Sequence, residues 1–202
     1  MKLAQGALSR GESLSFAGLH PSVVAREATV EDLKDIRELF FKIFAEPAFN
    51  DPDKGFGLLK TMQARYRTDP EKHEREFFGR DRNRRFALVV HDRRTGRLVG
   101  TAWLIANLDY DPRFDEGEIN KIYLLPECRG LGVGLWLMRQ MISKAQNLGF
   151  RRLSLITGPE RIQALALYQR LGFKPTLQVR YTDSQTCFSM TRALSQNEGD
   201  SE

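Results

Sequence analysis

The stretch "PECRGLGVGLWLM", residues 126–138, places glycines at 130, 132 and 134 beside Arg129 and then turns at once into an apolar-periodic run. Glycine concentrated in this way marks backbone that takes up positive φ or comes close to another group. Upstream, "EINKIYLLPE" (118–127) reads as a strand. Downstream, Leu135, Met138, Ile142, Ala145 and Leu148 recur at helical spacing, and Gly149 is placed to end the helix. Strand, glycine turn and helix in that order suit an anion. The first-turn N–H groups of a helix lack intrahelical partners, and its N-terminus carries partial positive charge. A phosphate or pyrophosphate can therefore lie against the amides that the glycines expose, with Arg129 adding a charge-assisted contact. A glycine turn that merely tightens a strand–helix junction is the plainer alternative.

Two familiar phosphate signatures do not fit. G-x-G-x-G lacks the spacing of the dinucleotide fingerprint, and no first strand of a βαβ unit opens the chain. "DKGFGLLKT" (53–61) looks superficially like a nucleotide-binding loop, but it lacks both the GxxxxGK spacing and a preceding strand.

Working outward, "SVVAREAT" (22–29) reads as a strand, and Thr29 with Asp32 resembles a capping box. Leu33, Ile36, Phe40, Ile43 and Phe44 then predict an amphipathic helix over 30–45. A shorter helix is expected over 55–67. "RRFALVVHD" (84–92) and "LVGTAWLIAN" (98–107) predict two strands joined by a tight turn at "TGR" (95–97). "RRLSLIT" (151–157) is a further strand, Pro159 is expected to open a helix running to Arg170, and Gly172 to close it. "FKPTL" (173–177) and the stretch "QVRYTDSQTCFSMTRA" (178–193) supply the last two strands. Residues 1–21 read as a flexible leader, 22–193 as one domain and 194–202 as a flexible tail.

A chain of 202 residues with 41% hydrophobic and 28% charged content is an ordinary globular domain, and a net charge of +5 permits an anionic ligand. Much of the excess lies in "RDRNRR" (80–85), which reads as a solvated basic loop, and no motif for nucleic acid accompanies it. Cys128 and Cys187 form no disulfide framework. Neither they nor His20, His73 and His91 have metal-ligand or triad spacing, so no metal is expected. No apolar run approaches the roughly 20 residues that span a membrane, and no signal peptide is legible. The expectation is a cytoplasmic protein that binds neither membrane nor nucleic acid.

"RGLGVG" (129–134) resembles the signature of the GNAT superfamily of acyl-CoA-dependent N-acetyltransferases: Arg or Gln, two arbitrary residues, then Gly-x-Gly or Gly-x-Ala. The likeness extends upstream into "IYLLPECRG", and downstream "ALALYQRLGF" (164–173) is similar to the family's second motif. The resemblance covers roughly residues 22–192. It implies an α/β fold with a mixed, mostly antiparallel sheet of about seven strands, helices on both faces, and a splay between strands 4 and 5. It also implies acetyl-CoA as cosubstrate. The backbone of Arg129, Gly130, Leu131, Gly132, Val133 and Gly134 would take the pyrophosphate, and that of Ile122, Tyr123 and Leu124 the pantetheine arm. From the alternation alone, the side chains of this strand read as core.

By the same resemblance, Tyr168 stands where a tyrosine protonates the departing thiolate, and Glu118 where some members place a base acting through water. A helix residue packed on the sheet and a solvated glutamate are the respective alternatives. An amine with a pKa of ~10 is mostly protonated near neutrality and must lose a proton before attacking a thioester. Arg161 departs from the pattern, since many members carry asparagine there. The acceptor is expected to be a primary amine of a small molecule, polyamine or amino-acid-like, attacked directly in a ternary complex. A protein amine and a non-catalytic coenzyme A-binding module are the alternatives. "NLDYDPRFDEGE" (107–118) holds Asp109, Asp111, Asp115, Glu116 and Glu118 against Arg113, which would favour a cationic amine unless it is merely an acidic surface loop. Phe49 and Phe56 would offer apolar contact from the opposite wall. A homodimer is expected only by analogy.

Overall fold

The computed structural model describes residues 17–47, 78, 85–106, 116–182 and 185–195, without side-chain detail for 179–182 and 185–186. Seven strands form one sheet in the order β1-β2-β3-β4-β5-β7-β6. They are β1 (Val23–Glu27), β2 (Arg85–Asp92), β3 (Leu98–Ala106), β4 (Glu116–Leu124), β5 (Arg152–Thr157), β6 (Lys174–Thr182) and β7 (Gln185–Ala193). Only β4 and β5 run parallel; every other pair is antiparallel. Among the described residues there are three α-helices, α1 (Leu33–Phe44), α2 (Val133–Asn147) and α3 (Ile162–Arg170). The expected helix at 55–67, the nucleotide-loop look-alike at 53–61, Phe49, Phe56, Asp109, Asp111, Arg113, Asp115 and most of the basic stretch 80–85 lie outside the described residues.

The sheet's two faces follow from strand alternation and are covered separately. Ala87, Trp103 and Asn120 share one cross-strand row, and Trp103 lies 6.5 Å from Phe40 of α1. Phe86, Leu104 and Ile119 share the next row on the opposite face, where Lys144 of α2 lies over the Phe86 ring. The centre of each strip is buried, with Trp103, Leu104, Phe40 and Ile119 all at 1% exposure or less. Thr101 is tolerated between them because its hydroxyl donates to the Leu88 carbonyl at 2.8 Å and accepts from Trp103 Nε1 at 2.9 Å, so no buried polar group is stranded there.

Local chemistry sets most element ends. The Asp32 carboxylate accepts from the Thr29 N–H at 2.8 Å, as the capping-box spacing predicts, although the first turn is 3₁₀ (Val30–Asp32) and α1 proper begins at Leu33. The turn between β2 and β3 is fixed by Asp92 Oδ1, which accepts from the N–H and hydroxyl of Thr95 at 2.7 and 2.8 Å. Two boundaries differ from expectation. Pro159 lies in a turn rather than opening α3, because Arg161 (φ −90°, ψ 59°) is not yet helical and its N–H returns to Gly158 O. Residues 178–182 belong to β6, not to the last strand, so the C-terminus is one long hairpin. Pro175 is accommodated because β6 is the sheet edge and carries an irregularity there.

The stripe on α2 is also displaced. Val133, Trp136, Leu137, Met138, Met141, Ile142 and Ala145 are buried, while Leu135 and Leu148 are only half-buried. The large apolar residues at 136, 137 and 141 turn the helix further round than the expected spacing did.

Candidate active site

β4 changes partners along its length. Glu116, Gly117 and Glu118 pair with Arg152, Leu153 and Ser154, and there the β4–β5 register ends. β5 continues on β7 as far as Thr157, whereas β4 continues on β3 to Leu124. The two parallel strands therefore part after Glu118, and 119–124 are laddered on one side only. Gly117 allows the close approach before the parting, since a Cβ there would meet Leu104, Phe150 and Leu153 at 3.0–3.1 Å.

A bulge in β4 falls within the splayed half. Thr101 faces Tyr123 and Trp103 faces Asn120, so Lys121 and Ile122 together oppose Ala102. Lys121 has φ 51°, the one positive φ outside glycine among the described residues. The bulge interrupts the simple alternation expected for this strand: Asn120, Lys121 and Tyr123 serve the α1 face, and Leu124 faces α2. Nor are these side chains wholly core, because Asn120, Ile122, Tyr123 and Leu124 are each only half-buried. Tyr123 packs edge-on against Phe40 and Phe44 at 5.3 and 5.4 Å.

The glycine turn sits beyond the strand's end. Pro126–Cys128 forms a 3₁₀ turn, and Gly130 and Gly132 both have φ 76°, Gly132 being the N-cap of α2. These two positions need glycine for their backbone alone. Gly134 does not: it is helical, and a Cβ there would make ordinary contacts with Leu124 and Leu167 at 3.5 and 3.6 Å. It stands between the end of β4 and α3, at the first turn of α2. Leu131 is exposed and Val133 is fully buried, so these two contribute no polar side chain to the cradle.

Arg129 is held from two directions. Its Nε donates to the Leu124 carbonyl at 3.0 Å, and its Nη2 donates to Glu46 at 2.7 Å. Its backbone N–H is used by the 3₁₀ turn, on Pro126 O. Sequence reasoning missed Glu46, because nothing local links a residue past α1 to a turn so distant in the chain. It also missed Gly100, whose absent side chain lets the Leu124 side chain and Tyr123 carbonyl lie directly against β3. A glycine in mid-strand was the available signal.

The two candidate proton carriers lie in different settings. Glu118 is half-buried and accepts from Asn120 Nδ2 at 3.4 Å, and Glu116 is taken up by Arg152. Tyr168 is 7% exposed and stacks edge-on with Phe173 at 6.3 Å. Burial pushes its phenol up to about 12, against the opposing pull of Arg161. Such a phenol stays protonated across the whole working range, so in a proton transfer it is placed to act as acid and not as base. Cys128 and Cys187 are both buried, which pushes their thiols up and leaves little thiolate for nucleophilic attack. His91 is half-buried and held below its ordinary value by burial and then by Arg26, remote from this gap.

Residues 45–173 match the model of the acetyltransferase (GNAT) family. The chain belongs to that family. An uncharacterised N-acetyltransferase of Methanocaldococcus jannaschii is 29% identical over 153 residues, which is 74% of this chain and 59% of that protein. The chain thus spans about three-fifths of the length of that relative. Among solved structures, a GNAT-family acetyltransferase from Streptococcus pneumoniae matches with a TM-score of 0.63 at 20% identity, over 86% of this chain and 99% of that one. A phosphinothricin acetyltransferase from Sinorhizobium meliloti, solved with acetyl-CoA, matches with a TM-score of 0.61 at 23% identity, over 88% and 95%. The GNAT fold, with its sheet opened between β4 and β5, is the frame on which the glycine turn, Glu118 and Tyr168 are arranged. No helix among the described residues is long and apolar enough to cross a membrane.

Proposed function

We propose that the protein is an N-acetyltransferase that moves the acetyl group of acetyl-CoA to a primary amine of a small molecule by direct attack within a ternary complex. The parting of β4 from β5 after Glu118, with the glycine turn beyond the end of β4, carries this reading. It opens a slot that leads from a one-sided strand to the amides at a helix N-terminus. In that slot, the backbone of Ile122, Tyr123 and Leu124 would run along the pantetheine arm. The amides of Gly130–Gly134 would receive the pyrophosphate, with Arg129 flanking it. The acetyl-CoA complex of the structurally similar phosphinothricin enzyme supports the same cosubstrate here.

The chemistry then assigns two roles. Glu118, at the mouth of the slot, removes a proton from the incoming ammonium, through a water where the distance requires one. The amine nitrogen attacks the thioester carbon, the C–S bond breaks as Tyr168 gives its proton to the sulfur, and the second proton shed by the nitrogen restores the neutral phenol. The high pKa of that buried phenol keeps it protonated for this step. The site residues, the small-molecule acceptor and the cytoplasmic setting are parts of this proposal, as is a single catalytic unit over 22–193. So is pairing of two copies through edge strand β6, where Leu177 is 64% exposed. Thiol release from acetyl-CoA, followed over a panel of amines with wild type and Tyr168→Phe, tests the reading. Amine-dependent release lost in the variant supports it. Coenzyme A binding without release on any amine would contradict it in favour of a binding module.

A further inference from the structure

We propose that Asn120 determines acceptor specificity, holding the reacting nitrogen together with Glu118 and so selecting a primary amine over a secondary one. This rests on the acetyltransferase reading above and narrows it. Glu118 and Asn120 stand one alternation apart on the same face of β4, opposite Ile105 and Trp103. Asn120 is the last residue before the bulge, so the pair lies just short of the segment assigned to the pantetheine.

Two observations single out the amide. Its Nδ2 donates to Glu118 Oε1 at 3.4 Å, the long end of the hydrogen-bond range. Its Oδ1 is shut off from solvent, and among the described residues no donor reaches it. Buried carbonyl oxygens are nearly always partnered, and one left unpaired lowers stability. The carboxylate explains the orientation. An amide oxygen turned to Glu118 would face negative charge, so the nitrogen takes that side and the oxygen is left inward. Among the described residues, one long hydrogen bond is thus all that fixes which way round the amide lies.

An ammonium bound at Glu118 reverses that preference. Beside a cation the oxygen is the favoured end of the amide, and a half-turn about Cβ–Cγ brings it there. Nitrogen and oxygen are close in size, so the turn needs no room, and Oδ1 has no donor to lose. The acceptor then gives one N–H to Glu118 and one to Asn120 Oδ1. Once Glu118, directly or through its water, has taken a proton, the neutral nitrogen must turn its lone pair to the thioester carbon, away from both groups. A primary amine still has an N–H for each of them. A secondary amine has only one and forfeits a contact, and a polar group left unpaired in this way discriminates strongly.

The test measures thiol release from acetyl-CoA with primary amines, butylamine and benzylamine among them, each against its N-methyl derivative. Wild type is compared with Asn120→Leu and Asn120→Asp. Leucine has nearly the shape of asparagine without its polar atoms, and aspartate keeps an oxygen for the nitrogen. The expected wild-type kcat/KM is at least about tenfold higher for the primary amine of each pair. Asn120→Leu loses about tenfold on the primary amine and much less on its N-methyl partner, so the ratio collapses; Asn120→Asp keeps it. The unliganded melting temperature of Asn120→Leu should rise by a few degrees, because an unpaired buried carbonyl has gone, with coenzyme A affinity unchanged. A merely structural amide would instead lower the melting temperature and affect both amines alike. A ratio unchanged in Asn120→Leu, a ratio lost in Asn120→Asp, or a fall in the melting temperature of Asn120→Leu overturns the assignment. The acetyltransferase reading then still stands, provided that wild type binds coenzyme A and acetylates the primary amines. If wild type acetylates none of the amines, or coenzyme A fails to stabilise it, that reading itself fails, and this assignment with it.

Discussion

Arg129 and Glu46 lie 83 residues apart in sequence and meet at 2.7 Å. The same guanidinium holds the carbonyl of Leu124, so one side chain joins the end of α1, the end of β4 and the glycine turn. Lysine cannot reproduce a fork with two acceptors in different directions. Arg129→Lys is therefore expected to weaken coenzyme A binding about tenfold, and Glu46→Gln less, since it leaves the bond to Leu124 in place. Titration calorimetry on the two single variants and the double variant should reveal non-additivity, because the residues share one interaction. Additive losses would dissociate Glu46 from the cofactor site.

Gly132 and Gly134 make a contrasting pair. Alanine at 132 meets φ 76°, with an expected loss of about 1–2 kcal/mol of stability. Alanine at 134 is helical, meets only ordinary contacts, and should gain up to about 1 kcal/mol. If Gly134 is small for the sake of the cofactor, Gly134→Ala will melt higher and bind coenzyme A less well. Denaturant unfolding and a binding isotherm on the same preparation decide this. Unchanged affinity would remove Gly134 from the cradle.

Tyr168→Phe should lower kcat by about 10²-fold or more while leaving coenzyme A affinity within twofold, as the loss of an acid that acts only during transfer requires. Because the phenol is pushed up to about 12, its ionisation produces no alkaline fall in kcat below that region. The rate should instead rise with pH as the acceptor amine loses its proton, up to the amine's own pKa of ~10. A descending limb that begins well below it and vanishes in Tyr168→Phe would contradict the environment described.

Stability on the acid side depends on a cluster away from the site. Burial disfavours the Asp32 carboxylate, but the bidentate Arg26 contact at 2.5 and 2.7 Å and the Thr29 N–H outweigh it, and its pKa is lowered overall. His91, beside Arg26, is lowered by burial. Both folded-state values lie below the unfolded ones, so both contributions are full above the unfolded pKa and are lost as pH falls. The His91 part goes below about pH 6.5 and the Asp32 part below about pH 4. Asp32→Ala should cost about 2 kcal/mol, a figure moderated by the half-exposed Arg26, and should flatten the lower step in melting temperature against pH. A lower step of unchanged size would assign it to other carboxylates.

What could be read in the sequence was local and periodic. The strand–glycine–helix order, the α1 stripe, the Thr29–Asp32 cap and the two motifs around Gly132 and Tyr168 depend on residues within a few turns of one another. The features that shape the site depend on distant partners. The bulge at Lys121 is invisible because "EINKIYLL" alternates acceptably without it, and only the register against Thr101 and Trp103 reveals two residues facing one. Pro159 looked like a helix start because proline suits a first turn, yet Arg161 turns the chain once more before α3 begins. The tie from Arg129 to Glu46 has no local signature at all.

The most direct measurement of the central claim, that the gap after Glu118 and the glycine turn together hold acetyl-CoA for transfer, is the melting temperature against coenzyme A concentration. A ligand that binds only the native state raises it by mass action. The account predicts a progressive rise with coenzyme A and acetyl-CoA, and a much smaller one in Gly134→Ala at equal ligand. A melting temperature indifferent to both ligands, in wild type and variant alike, would contradict it.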